Sequence, residues 1–342
     1  MMYFAVFLIL FVLALVYFKI ADRYNIIDKP NHRSAHTEIT LRGGGIVFPI
    51  AFLMFFITST WGKLVHLPLH NQVAENQNEL LFGIGLLLLC TISFLDDLYD
   101  LSSKIRIVFH FISVTLLLAF LNAFVLLPIW AIPVLYILII GILNAYNFMD
   151  GINGITGLYS LVTLLSLLYV NQNMVSFVDG DFIIYPVLAC LVFLFFNFRK
   201  KAKCFMGDIG SMGIAFWVVA LIGLLMMKTG EIKWILFLAV YGVEVISTIL
   251  ERLKLKENIF EAHRRHLYQL LANEKKISHL KVSTLYAAIQ FIINVVVIFS
   301  DLPQILIFVI TLFPIFVLYV YVKFKIKREV EGGGGRIEDE GF

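Results

Sequence analysis

The chain has 342 residues, of which 60% are hydrophobic and 15% are charged, and its formal net charge is +3. A mean hydropathy of +0.90 is far above what a soluble domain of this size needs for its core, which excludes a water-soluble enzyme or a nucleic-acid-binding module. A helix needs roughly twenty apolar residues to cross a bilayer. The composition therefore predicts an all-α polytopic membrane protein. The cysteines Cys90, Cys190 and Cys204 have no spacing typical of a metal site or a disulfide framework.

Eleven apolar runs predict about eleven transmembrane helices, at about 2–20, 44–61, 80–95, 107–127, 129–144, 152–170, 182–198, 209–227, 234–250, 282–300 and 303–322. The polar connections alternate between two sides, and one side carries 24 of the 27 Lys and Arg residues. Because cytoplasmic loops are enriched in basic residues, we expect that side to face the cytoplasm and the N-terminus to lie outside. Residues 324–342 are expected to form a polar cytoplasmic tail, native or artificial in origin.

An acidic cluster follows directly on the third apolar run. Asp96 and Asp97 are adjacent, Asp100 comes three residues later, and residues 81–94 before them are nearly all apolar. A carboxylate in hydrocarbon is costly, so three acids at this boundary need a reason. Converging carboxylates suit a hard divalent cation, above all Mg²⁺. A helix that merely ends in solvated acidic residues explains this stretch equally well.

A second polar stretch, 144–154, joins two apolar runs through a very short link. Asn144, Asn147 and Asp150 recur every three residues, which places them on one face of a helix end. Gly151 and Gly154 permit a close approach of the backbone to a ligand. A tight turn capped by Asn and Asp would explain the glycines but not the polar repeat, so we favour a functional site.

The third stretch combines a basic run at 199–203 with Phe205, Met206, Gly207 and Asp208. The basic run alone is typical of a cytoplasmic anchor that contacts phospholipid headgroups. Asp208 stands at the start of the next apolar run, where it could cap the helix. Taken in isolation, the capping role is the better interpretation of Asp208.

The longest cytoplasmic loop contains His263, Arg264, Arg265 and His266. Two histidines with two arginines between them form a compact cationic group suited to a diphosphate. As a zinc site the group is weak, since no thiolate lies nearby. The N-terminal loop 28–45 adds further basic residues and the sequence Arg-Gly-Gly-Gly at 42–45.

The sequence thus predicts one cytoplasmic face, at membrane depth, that carries acids for a metal, cations for phosphates and an aromatic ring. The combination resembles the polyprenyl-phosphate N-acetylhexosamine-1-phosphate transferase superfamily (glycosyltransferase family 4 type), and the resemblance covers Met1 to about Lys323. Four motifs carry it, in order: Asp96-Asp97 followed by 101–104, the stretch 144–151, the stretch 205–208, and the histidine loop. It implies one integral membrane phosphoglycosyl transferase domain over residues 1–323.

The resemblance also implies a role for each motif residue. Asp96, Asp97 and Asp208 would surround Mg²⁺ (or Mn²⁺) and the lipid phosphate, Asp150, Asn144 and Asn147 would position the nucleotide-sugar, Phe205 would stack on uracil, and Lys104, His263, Arg264, Arg265 and His266 would hold phosphates. The family usually has a second Asp where this chain has Asn153. We therefore expect Asn153 to contact the nucleotide by hydrogen bonding, without binding the metal.

The implied reaction transfers N-acetylhexosamine-1-phosphate from a UDP-sugar to undecaprenyl phosphate, with release of UMP, at the inner face of a bacterial cytoplasmic membrane. The histidine loop is more similar to the O-antigen-initiating branch than to the phospho-MurNAc-pentapeptide branch, which remains the alternative. An ion-coupled secondary transporter is the rival from another class, and Glu244 in the ninth apolar run is its best support. A lipid-phosphate phosphatase would leave Phe205 unexplained. Membrane lipid is the remaining expected partner, and a homodimer is left open.

Overall fold

The computed structural model describes residues 1–28, 39–64, 78–99, 101–258 and 264–332. Within these ranges ten helices are long and apolar enough to cross a membrane, and the shorter helix Gly44–Thr60 matches the predicted run 44–61. The structure is 81% helical with almost no strand. The prediction of an all-α polytopic membrane protein is therefore confirmed.

The helices are α1 Met2–Arg23, α2 Val47–Leu64, α3 Glu79–Tyr99, α4 Ser103–Phe120, α5 Ala123–Leu126, α6 Ala131–Met149, α7 Ile155–Asn173, α8 Gly180–Asn197, α9 Gly207–Thr229, α10 Ala239–Lys254, α11 Leu267–Gln269, α12 His279–Phe299 and α13 Gln304–Gly332. Two short antiparallel strands are β1 Ile27–Asp28 and β2 Thr40–Leu41. Turns of 3₁₀ helix cover Gly44–Ile46 and Ile232–Leu238, and a π-helical turn covers Leu270–Glu274.

Helix α9 is the centre of the bundle. Its most apolar 18-residue stretch is 89% buried, and it packs against α3, α6 and α7. A helix that is apolar on every side buries every side. Small residues let its neighbours come close: a Cβ at Gly213 would lie 2.9 Å from the Sγ of Cys90 on α3. The first turn of α9, which carries Asp208, is thereby surrounded by the ends of other helices.

The segment 40–45 lies along the start of α9. Leu41 and Phe205 are joined by a backbone hydrogen bond of 2.7 Å, and the amides of Gly44 and Gly45 donate to the carbonyls of Phe205 and Met206 at 2.8 and 2.9 Å. A Cβ at Gly45 would lie 2.2 Å from the Cα of Gly210, so the two backbones could not approach this closely with a side chain present. The glycine run therefore sets the position of residue 42.

The predicted run 234–250 is an interrupted helix, in which 3₁₀ turns lead into α10. Gln290 of α12 compensates for the interruption, since its side chain donates to the carbonyl of Leu236 at 2.9 Å and accepts from the amide of Val240 at 3.1 Å. Its carbonyl also accepts from the hydroxyl of Tyr159 at 2.7 Å. Backbone groups freed in a membrane must find such partners.

Helix α13 continues ten residues beyond the predicted end at 322. Lys323 and Lys327 are one turn apart, so both reach Glu251 on α10, and the Lys323 ion pair measures 2.7 Å. The first nine residues of the expected polar tail, 324–332, are therefore helical. The remainder of that tail, including three of the four glycines at 332–335, lies outside the described residues.

Candidate functional site

Two carboxylates from different helices meet beside one guanidinium. Asp97, in the last turn of α3, accepts a 2.9 Å hydrogen bond from the backbone amide of Asp208. Arg42 Nη2 lies 2.7 Å from Asp97 Oδ1 and 3.6 Å from Asp208 Oδ1. The side chain of Asp97 is 1% exposed, that of Asp208 18% and that of Arg42 34%. A Cβ at Gly207 would lie 2.7 Å from Asp97 Oδ2, so the glycine makes this approach possible.

The two acids set the charge state of Arg42. Burial lowers the pKa of the Arg42 guanidinium, but attraction by Asp97 and Asp208 outweighs burial, so the pKa lies above its usual value. The group therefore stays positively charged and neutralises part of the acidic pair. Loss of this cation would leave buried negative charge without compensation.

Asp96 faces a different neighbour from the adjacent Asp97. Its Oδ2 lies 2.7 Å from Nη1 of Arg106 on α4, and its Oδ1 accepts a 2.8 Å hydrogen bond from the amide of Leu101. Among the residues that the structure describes, no three His, Cys, Asp or Glu side chains come close enough to hold a metal ion. The structure thus places Asp97 in hydrogen-bond contact with Asp208, whereas Asp96 pairs with Arg106 and lines a cavity together with Asp208. Asp100 lies outside the described residues.

Asn147 joins the end of α6 to this acidic pair. Its Nδ2 donates to Asp208 Oδ2 at 3.2 Å, and its Oδ1 accepts from the hydroxyl of Ser211 at 3.1 Å. Asn144, one turn earlier, donates its amide back to the carbonyl of Ile140 at 2.8 Å. Asn147 thus contacts a carboxylate of α9, and a shared face for Asn144, Asn147 and Asp150 stays a prediction.

A polar cavity of about 250 Å³ opens on one side of Asp208. Arg42, Asp150, Phe205 and Asn147 all line it, and the ring of Phe205 is half-buried. Burial of the Asp150 carboxyl group, together with the nearby charge of Asp208, raises its pKa to about 8. The acid is thus largely protonated at neutral pH and can donate a hydrogen bond to a bound ligand.

Asn153 also lines this cavity, but its side chain has a partner within the protein. It is 5% exposed, and its Nδ2 donates to the carbonyl of Arg199 at 2.8 Å. A carboxylate could not make that bond, because it has no donor. The neighbouring Asn197 links the amide of Gly154 at 2.6 Å to the carbonyl of Cys204 at 2.8 Å. The expectation that Asn153 contacts a nucleotide stays a prediction.

A second cavity, of about 560 Å³, opens on the other side of Asp208 and Asn147. We call it the acidic-end groove. Its charged and polar lining includes Asp96, Lys104, Arg106, Asn144, Arg252 and His266. Most of its remaining lining residues are apolar, and through Val245 and Ile249 it adjoins an apolar cavity of about 700 Å³ between α6, α10 and α13. Lys104 itself is exposed.

The histidine loop is closely packed at 264–269. Arg265 forms ion pairs with Glu257 at 2.6 Å and Glu251 at 3.6 Å, and His266 is only 3% exposed. Arg264 is half-buried. The predicted phosphate-binding group is therefore divided, since Arg265 already has acidic partners and, of its described members, only His266 lines the groove. His263 lies outside the described residues.

Two cationic residues of the site were not among the predicted site residues. Arg42 was noted only as part of a basic, glycine-rich stretch, and Arg106 was not singled out. The signal for Arg42 is its position directly before three glycines, because a glycine run marks a close backbone approach. Arg106 stands ten residues after Asp96 across a helix break, which periodicity within a single helix does not reveal.

Residues 80–227 match the model for glycosyl transferase family 4. The match contains Asp97, Asn147 and Asp208, whereas Arg42 and the loop 264–269 lie outside it. No curated protein matches the chain.

Proposed function

We propose a specific reaction on the premise that residues 80–227 match the model for glycosyl transferase family 4, the family of polyprenyl-phosphate sugar-1-phosphate transferases. The protein transfers N-acetylhexosamine-1-phosphate from a UDP-sugar to undecaprenyl phosphate. The products are UMP and a lipid-linked diphosphate sugar that starts a cell-surface glycan such as O-antigen. The active site faces the cytoplasm of a bacterial inner membrane, because the basic residues concentrate on that side.

One observation carries the proposal: two cavities of opposite character meet at Asp208 and Asn147. The polar cavity suits the water-soluble donor, with Phe205 available to stack on the uracil ring. The acidic-end groove is lined by charged and apolar residues together, and through Val245 and Ile249 it adjoins the apolar cavity between α6, α10 and α13. That combination suits an amphiphile whose phosphate lies at the membrane surface while its isoprenoid tail stays in hydrocarbon.

The reaction follows from bringing the two phosphates together. A phosphate oxygen of the acceptor attacks the β-phosphorus of the UDP-sugar and forms a new P–O bond. The bond from the β-phosphorus to the bridging oxygen breaks, and its electron pair leaves with UMP. Arg42 and Asn147 hold the donor, while Lys104, Arg106 and His266 attract the acceptor phosphate. No strong base is required, because a phosphate is largely ionised at neutral pH.

The residues present fit a Mg²⁺ ion, with Mn²⁺ as a substitute. Asp97 and Asp208 offer oxygen ligands from adjacent positions, and Mg²⁺ commonly takes one or two carboxylates together with substrate phosphates and water. We assign the metal to these two acids and assign Asp96 to the acceptor side through Arg106. When bound, the ion would neutralise charge on the donor diphosphate.

A reconstitution assay tests the proposal. Purified protein is incubated with Mg²⁺, undecaprenyl phosphate and a panel of UDP-sugars, and UMP release is measured together with the lipid product by mass spectrometry. We expect turnover with a UDP-N-acetylhexosamine. UDP-MurNAc-pentapeptide is the comparison substrate, and turnover with it alone would move the protein to the peptidoglycan branch. The absence of UMP release with every donor would refute the proposed reaction.

A further inference from the structure

Glu244 is a buried acid that the proposed reaction does not use. It lies on α10 and is 2% exposed. Its Oε1 accepts hydrogen bonds from the backbone amides of Leu267 and Tyr268, and its Oε2 accepts from the hydroxyl of Tyr286 on α12. These three bonds use both carboxylate oxygens, which leaves Glu244 unsuited to carry an ion across the membrane.

Leu267 and Tyr268 are the first two residues of α11. The first amides of a helix have no partner within that helix, and they are usually capped by a nearby side chain. Besides the local capping box of His266 and Gln269, Glu244 of another helix, 23 and 24 residues away in sequence, accepts from the amides of Leu267 and Tyr268. Such a bond fixes the beginning of α11 to α10, which no local cap could do.

The anchored loop reaches both cavities. His266, just before α11, lines the acidic-end groove, and its Nδ1 lies 3.7 Å from Glu244 Oε1. That distance is too long for a hydrogen bond, but it places the carboxylate directly beside the imidazole ring. Tyr268 donates to the carbonyl of Phe148 at 2.8 Å and packs against Gly151, where a Cβ would lie 2.2 Å from the phenol oxygen. Gln269 lines the polar cavity.

We propose that Glu244 is a positioning residue that anchors the loop 264–269 to α10 and orients His266 in the groove for the acceptor phosphate. The second half of this statement rests on the proposed function, whereas the anchoring does not. Glu244 acts in two separable ways: its oxygens hold the amides of Leu267 and Tyr268, and its charge acts on His266. Different substitutions remove these two actions separately.

Hydrogen–deuterium exchange tests the anchoring without reference to activity. Glu244→Ala removes the acceptor, so the peptide containing Leu267 and Tyr268 should exchange at least about tenfold faster. Glu244→Gln keeps a carbonyl oxygen and should retain most of the protection. Glu79→Gln is the matched control, because Glu79 is another buried acid, at the opposite end of α3 from Asp97. Unchanged exchange in a folded Glu244→Ala protein would overturn the anchoring.

Steady-state kinetics test the orientation of His266. We expect Glu244→Gln to raise the KM for undecaprenyl phosphate about three- to tenfold, with the KM for the UDP-sugar changed less than about twofold. His266→Gln should raise the same KM, and the double variant should be no worse than the worse single variant. Additive effects, or a Glu244→Gln protein that behaves like Glu79→Gln, would overturn this role.

Failure of the proposed function can be distinguished from failure of the proposed role of Glu244. If the unaltered protein releases no UMP with any donor, the proposed function fails. Exchange at Leu267 and Tyr268 still decides whether Glu244 anchors the loop. In that case direct binding of undecaprenyl phosphate to the unaltered and Glu244→Gln proteins, measured by native mass spectrometry, decides the role in the groove. Equal affinity in the two proteins would overturn it.

Discussion

At the scale of single residues, neighbouring acids have different environments. Asp97 faces Asp208 and Arg42, whereas Asp96 faces Arg106. We predict that Asp97→Asn and Asp208→Asn each lower kcat by about 10²–10³-fold and raise the Mg²⁺ concentration needed for half-maximal activity. An amide keeps the size of the side chain but is a poor ligand for Mg²⁺. Activity over a Mg²⁺ titration, with Mn²⁺ binding followed by electron paramagnetic resonance, is the measurement.

Asp96→Asn is the matched control for these two variants. It should raise the KM for the lipid acceptor, because Arg106 loses its acidic partner, while the half-saturating Mg²⁺ concentration changes less than about twofold. An equal shift of the Mg²⁺ requirement in all three variants would return Asp96 to the metal site. Normal activity and normal Mn²⁺ binding in Asp97→Asn and Asp208→Asn would refute the metal assignment.

Arg42 gives a prediction about stability. Its guanidinium compensates a carboxylate that is 1% exposed. In EDTA, Arg42→Gln should lower the free energy of unfolding by about 1–3 kcal/mol. Addition of Mg²⁺ should then raise the free energy of unfolding more in this variant than in the unaltered protein. Thermal unfolding with and without Mg²⁺ measures both effects. Arg23→Gln is the control, since Arg23 is exposed at the end of α1. A loss that Mg²⁺ does not reduce would contradict the assignment of the metal to Asp97 and Asp208, the two acids that Arg42 compensates.

At the scale of elements, the interrupted helix 232–254 depends on Gln290. We predict that Gln290→Leu lowers the free energy of unfolding by about 1–3 kcal/mol, because Leu236, Val240 and Tyr159 each lose a buried partner. Thermal unfolding in detergent measures the change. Gln172→Leu makes the same substitution at an exposed position and should change the melting temperature little. Equal effects of the two substitutions would show that the network does not stabilise the interruption.

At the scale of the whole molecule, the two ends of the bundle should face different compartments. Position 201 lies beside the start of α9, whereas Ile129 precedes α6 and so lies at the far end from Asn147. Both residues are exposed, and Cys90, Cys190 and Cys204 are buried. In intact cells an impermeant thiol reagent should label Ile129→Cys and leave Lys201→Cys unlabelled until the cells are permeabilised. Labelling of position 201 from outside would reverse the predicted orientation.

The sequence by itself determined the membrane class and the approximate helices. Crossing hydrocarbon requires long apolar runs, and these can be counted without knowing their neighbours. It also showed that Asp97, Asn147 and Asp208 belong to motifs, because polar residues at the ends of apolar runs need a reason. The exceptions were at 232–238 and 323–332, where a side chain or ion pair from a distant helix decided the local structure.

Only the tertiary structure decided which groups face each other. Consecutive residues of a helix point about 100° apart. Asp96 and Asp97 look alike in the sequence, but their side chains point in different directions. Asp96 therefore meets α4, whereas Asp97 meets α9. Glu244 suggested an ion carrier in the sequence, whereas in the structure its carboxylate accepts hydrogen bonds from the amides of Leu267 and Tyr268, 23 and 24 residues away. Contacts of this kind depend on how the helices pack together, and the packing cannot be predicted from any single apolar run.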